Sequence, residues 1–298
     1  MSWEFDLIAG PYQGHTGGLV WNGETMLFSA VRVERILSFD PVTGSVGNFR
    51  HYTGRTNGLA IGSDGALFGA QEGGRRIIQF MADGSISPTE DLIDGFHHNQ
   101  PTDLVVDCQG RVWFTDPYNP VAPNGPPIFP FLDYESVLRL ERDVRGDWQI
   151  VRVTRETSSP RALALSPDEK VLYVSVGEVE RDRPRELRAY ELDRNGNVGT
   201  HRVLHRFSSS ERGIEGLCLD SDGNIIACGG SKESGTGPFV YVFSPSGSLL
   251  ETHALPADLP MRCAFGDADL SSLYVTTGTG ELYRGKTIGR KGLTRKIG

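Results

Sequence analysis

A short phrase written six times limits what this chain can fold into more than any other feature. Each copy is a hydrophobic run opened by a small residue, followed by an Asp/Gly turn and a second hydrophobic run. The copies start at Gly18-Leu-Val-Trp, Gly58-Leu-Ala-Ile, Asp103-Leu-Val-Val, Ala162-Leu-Ala-Leu, Gly216-Leu-Cys-Leu and Cys263-Ala-Phe-Gly. They lie about 40 to 60 residues apart, the period of a β-propeller blade, in which each unit buries its faces only by stacking on neighbours. Six copies predict an all-β, six-bladed propeller.

Blade two shows the plan: Leu59-Ala-Ile, the turn Ser63-Asp-Gly65, Ala66-Leu-Phe-Gly-Ala, and a third strand Arg76-Ile-Ile-Gln-Phe80. Asp-Gly supplies the positive φ of a tight reversal, and β-branched and aromatic residues fill the strands. The last repeat is short of an outer strand after Tyr283. Trp3-Glu-Phe-Asp-Leu-Ile8 alternates with period two and is expected to close the ring there, which removes an open sheet edge. Residues 1–285 therefore read as one propeller domain, and 286–298 as a basic, solvated tail.

The net charge of -8 argues against nucleic acid and anionic membranes as partners. No apolar run is long enough to span a membrane, and the first residues lack a signal-peptide pattern, so the cytoplasm is the expected compartment. Cys108, Cys218, Cys228 and Cys263 have no CxxC spacing and read as small buried hydrophobes. The Pro-rich stretch 117–131 is expected to be a stiff lid over the channel or a surface excursion.

The residue just before each phrase should face the channel in every blade. That position gives Gly17, Asn57, Thr102, Arg161, Glu215 and Arg262. Two guanidinium groups against one carboxylate is a costly set to bury. It reads either as an ion-paired plug or as a site for a small anionic ligand. His15, His97, His98, Asn99 and Tyr118 precede or flank the channel side and are candidates to join the site. His51, His201, His205 and His253 fall on outer strands and carry no expected role.

The phrases Gln100-Pro-Thr-Asp-Leu-Val-Val-Asp, Val112-Trp-Phe-Thr-Asp-Pro-Tyr118, Ser159-Pro-Arg-Ala-Leu-Ala-Leu-Ser-Pro-Asp168 and Cys263-Ala-Phe-Gly resemble the regucalcin/gluconolactonase family, which is also similar to the strictosidine-synthase and paraoxonase groups. The resemblance implies hydrolysis of sugar lactones or similar esters. It also implies a divalent metal held by Glu, Asn, Asn and Asp before blades one, three, four and five. Those positions here hold Gly17, Thr102, Arg161 and Glu215, so only the last keeps a carboxylate. The expectation is an enzyme without a metal or other cofactor. Arg161 takes the ion's place and Glu215 is the general base, with His97 or His98 shuttling a proton. Arg262 clamps a substrate carboxylate, and Asn57, Asn99, Thr102, Tyr118 and His15 bind substrate. The alternatives are an isomerase or lyase on a keto or enol acid, a non-catalytic binder, or a rearranged metal site through Glu215 and His15.

Overall fold

Every second strand of the chain is hydrophobic on both faces, which dictates how the sheets must stack. In Met26–Ala30 the adjacent residues Leu27 and Phe28 are both buried, yet Leu27 packs against blade two and Phe28 against blade six. Trp113 and Phe114 divide the same way between blades four and two, and Ile226 and Ile225 between blades six and four. A sheet covered on both sides needs continuous rather than alternating hydrophobicity, which is what the repeated phrase encodes. The core is accordingly six layers, one between each pair of neighbouring blades. Each fully buried Leu, Ile or Phe in them contributes roughly 1.5–3 kcal/mol.

The computed structural model describes residues 2–119, 129–177, 183–286 and 288–293. Six four-stranded antiparallel sheets follow one another in chain order. Their inner strands are Thr16–Trp21, Thr56–Ile61, Leu104–Val106, Pro160–Leu165, Ile214–Leu219 and Pro260–Gly266. Successive inner strands are neighbours, and the sixth returns to the first, closing the ring. The outer strand of blade six is Phe5–Ala9, paired with Leu282–Gly285 in the register Phe5 to Gly285 and Leu7 to Tyr283. The N-terminal segment thus closes the propeller as its period-two pattern predicts. Trp3 anchors it by stacking on His253 at 3.9 Å between ring centroids.

The Asp/Gly turns share one device. Asp220 Oδ1 accepts from the amides of Asp222 (3.0 Å) and Asn224 (2.8 Å), while Gly223 takes positive φ. Asp107, Asp143 and Asp193 do the same two and four residues on. A carboxylate opening the turn and a glycine three residues later are the chemistry such a reversal needs.

Two expectations change. Residues 288–293 are not a solvated tail: Ile288 is buried between blades five and six, and Arg290 pairs with Asp220 (2.6 Å) and Glu251. Burial of one apolar side chain and a shared guanidinium hold this stretch against the sheet. Cys108 is exposed rather than buried, in a turn. Residues 120–128 of the Pro-rich stretch, and 294–298, lie outside the described residues. Among the described residues no helix is long and apolar enough to cross a membrane.

Candidate active site at the channel mouth

Thr102 precedes its inner strand, Leu104–Val106, but the other ring residues lie within theirs, at or beside a break in register. Pairing with the second strand slips between Pro160 and Ala162, Ile214 and Gly216, Thr16 and Leu19, and Thr56 and Leu59. A bulge of this kind re-aims one side chain out of the alternation of its strand. In blade six the slip falls between Pro260 and Arg262, so the residue equivalent to Arg161 and Glu215 is Met261. Arg262 sits one position further, where the other blades hold Gly18, Gly58, Asp103, Ala162 and Gly216.

That one-residue difference changes the role of Arg262. The side chain is buried at 4 % exposure and donates to the backbone carbonyls of Glu215, Met261 (2.9 Å) and Thr102 (3.4 Å). Its Nε lies 3.4 Å from Asp103 Oδ1. Blades three and six face each other in a six-membered ring, so this contact crosses the channel. Burial pushes the Asp103 carboxyl up even with the guanidinium beside it. Arg262 therefore ties opposite blades together, its terminal nitrogens serving backbone carbonyls while its Nε, beside Asp103, makes no hydrogen bond among the described residues.

Glu215, on the blade-five wall, is buried and accepts from Arg212 Nε at 3.1 Å. Burial opposes its ionisation, but the guanidinium of Arg161 foremost, then Arg212 and Arg262, outweighs it and holds the carboxyl below its ordinary range. Arg161 is half-buried in the same field. Arg161 and Glu215, on adjacent blades, are thus near enough for their charges to act on each other.

The blades-one-and-two wall holds a residue that sequence reasoning missed. Glu72 follows the second strand Leu67–Gln71, and its Oε1 accepts from Asn57 Nδ2 at 2.7 Å. Arg55 is 4.0 Å from its other oxygen. Burial raises the Glu72 carboxyl above its ordinary range, against the lowering effects of Asn57, Arg55 and Arg262. Gly17 allows this arrangement: a Cβ there would collide with Asn57 Oδ1. Among the described residues, that Oδ1, His15 Nε2 and Arg55 Nε are buried without a hydrogen-bond partner. Desolvation foremost, then Arg262 and Arg55, lowers His15 to about 4, so its imidazole is neutral near pH 7. The position after the second strand is Val31 in blade one and Gly177, Gly230 and Gly278 in blades four to six. A carboxylate in blade two alone was the signal available.

The remaining candidates are engaged elsewhere. His98 has no exposure and contacts Asp116 Oδ1 at 3.1 Å, so it cannot hand a proton directly to a bound molecule. His97 meets Asp91 Oδ2 at 3.2 Å and stacks on Phe129, in a hairpin formed by Leu92–Ile93 and Phe96–His97. Asn99 is fully buried, donating to Tyr134 O (2.8 Å) and accepting from Leu132 N (2.8 Å). It positions the end of the Pro-rich stretch, which Arg75 also fastens through Phe129 O and His98 O, each at 2.7 Å. Thr102 Oγ1 is turned to Gln100 O at 3.2 Å. Tyr118 lines a different cleft of about 310 Å³, together with Glu135, Arg155 and Arg183, to which no ring residue contributes.

The donor set does not fit a hard dication. Such an ion takes six or more oxygens. Gly17 offers no side chain, Arg161 brings a positive charge, and Glu215 is committed to guanidinium groups. No three His, Cys, Asp or Glu side chains converge among the described residues.

Comparison with known proteins places the chain. A gluconolactonase of Zymomonas mobilis is 29% identical over 291 residues, covering 90% of this chain and 77% of the relative. A 6-deoxy-6-sulfogluconolactonase of Pseudomonas putida is 28% identical over 270 residues, covering 87% and 81%. The structure of a gluconolactonase of Xanthomonas campestris superposes with a TM-score of 0.81 at 28% identity, covering 95% of this chain and 89% of that one. The family model described as SMP-30/Gluconolactonase/LRE-like region matches residues 16–279, so with its ring, register and fold the chain belongs to that family.

Proposed function

We propose that this chain hydrolyses a small anionic sugar lactone in its channel, without a divalent ion. Water adds to the lactone carbonyl, the ring C–O bond breaks, and a hydroxy acid leaves. Glu215, ionised at neutral pH, takes the proton of the attacking water. Arg161 faces the oxygen on which negative charge develops, the task of an electrophile at the transition state. Near the ring the guanidinium groups of Arg55, Arg161, Arg212 and Arg262 outnumber the carboxyls of Glu72, Asp103 and Glu215, which favours a substrate that carries its own negative charge. One relative is named for a lactone bearing a sulfonate, which supports that substrate class.

The observation that carries this reading is the Arg161–Glu215 neighbourhood at the ring of a family that includes lactonases. It is tested by assaying exhaustively chelated protein on gluconolactones with and without an acidic substituent. Full turnover after chelation is expected. Arg161→Met should lower kcat about 10²–10³-fold and Glu215→Gln about 10²–10⁴-fold. Turnover that appears only on adding calcium, zinc or manganese would overturn the proposal, as would no turnover of any lactone.

A further inference from the structure

The hydrolysis just proposed leaves one chemical need unmet. The ring oxygen of a lactone departs as an alkoxide, a poor leaving group unless a proton reaches it as the bond breaks. Neither His97 nor His98, expected to supply that proton, is placed to do so, and His15 cannot replace them. His98 has no exposure, His97 is paired with Asp91, and His15, lowered to about 4, carries no spare proton near pH 7.

We propose that Glu72 is the proton donor that releases the lactone's ring oxygen; this rests on the hydrolytic reading above. Blade two lies opposite blade five in the six-membered ring, so Glu72 and Glu215 occupy facing walls. Glu72 is 9 % exposed and held by Asn57, a ring residue, at 2.7 Å. The groups facing it are Arg55 and Arg262, with His15 beyond them in the same field. Beside the carboxyl, the 3 %-exposed Asn57 presents Oδ1 with no partner among the described residues, as do His15 Nε2 and Arg55 Nε. An acceptor and a donor left unpaired at one buried wall cost free energy that a bound hydroxyl-bearing ligand recovers, since a hydroxyl both gives and accepts. The wall is thus lined for the sugar end of the substrate, and the acid is part of that lining.

In the balanced step Glu215 takes one proton from water while the oxygen–carbonyl bond forms. Glu72 gives one proton to the departing ring oxygen while the ring C–O bond breaks. The product is the open hydroxy acid, and solvent returns the proton from Glu215 to Glu72. Two carboxyl groups in environments that push their protonation apart are the usual arrangement for paired acid and base work.

Leaving-group dependence separates this role from a structural one. Glu72→Gln, checked for an unchanged Tm, should lower kcat on a sugar lactone about 10²–10³-fold. On a phenyl ester, whose phenoxide needs no proton, the same variant should fall less than about threefold. The alkaline fall of kcat/KM in the native protein should also vanish in the variant. Equal losses on both substrates, or no loss on either, would overturn the assignment while leaving the hydrolytic reading intact. If the native protein opens no lactone, that reading fails first and the acid role falls with it.

Discussion

The two walls of the channel carry the same residue type shifted in opposite directions. On the blade-five side Glu215 is buried among Arg161, Arg212 and Arg262 and is held as an anion. On the blade-two side Glu72 is equally buried but receives one amide hydrogen bond and a guanidinium 4.0 Å away, and burial wins. The number and closeness of donors, not depth alone, decide which way a buried carboxyl shifts.

The harshest way to break this contrast is to remove the anion. Glu215→Leu strands three guanidinium groups without their counter-charge and should cost about 3–5 kcal/mol in urea unfolding. A loss below 1 kcal/mol would mean that Glu215 does not hold the charge balance of that wall.

His15 reports how far the guanidinium field reaches toward blades one and two. Its folded value of about 4 lies below the ordinary 6.5, so the unfolded chain takes up a proton that the folded one refuses. Stability from this group is complete above about pH 6.5 and drains away as pH falls toward 4, on the order of 3 kcal/mol in all. His15→Asn should flatten that part of the stability–pH curve. An unchanged slope would show that the two walls are electrostatically separate.

The smallest effect is expected on the other wall. Glu72→Gln keeps the shape of the side chain and an oxygen for the Asn57 amide, and should cost less than about 1 kcal/mol. A cost matching that of Glu215→Leu would erase the difference between the walls.

The propeller was legible because its signals are local. The continuous hydrophobic second strands and the Asp-to-Gly turns are written in each repeat, and the N-terminal strand announces itself by period two. The site was legible only in part. Arg161 and Glu215 follow from the repeat, but in blade six Arg262 stands where other blades have a small residue or Asp103, which slides the apparent phrase by one and hides Met261. Asn99 and His98 read as site residues because they neighbour the ring in sequence, yet their side chains turn to Tyr134 and Asp116. Glu72 lies outside the phrase altogether, and its meaning comes from a hydrogen bond that bridges two strands of its blade.

The contact between Gly17 and Asn57 has an evolutionary consequence. Any side chain added at position 17 must displace the Asn57 amide, and that amide is the hydrogen-bond donor of Glu72. A carboxylate cannot enter blade one at this position by a single replacement; the neighbouring wall would first have to be rearranged. Position 17 and the Asn57–Glu72 pair can therefore change only together.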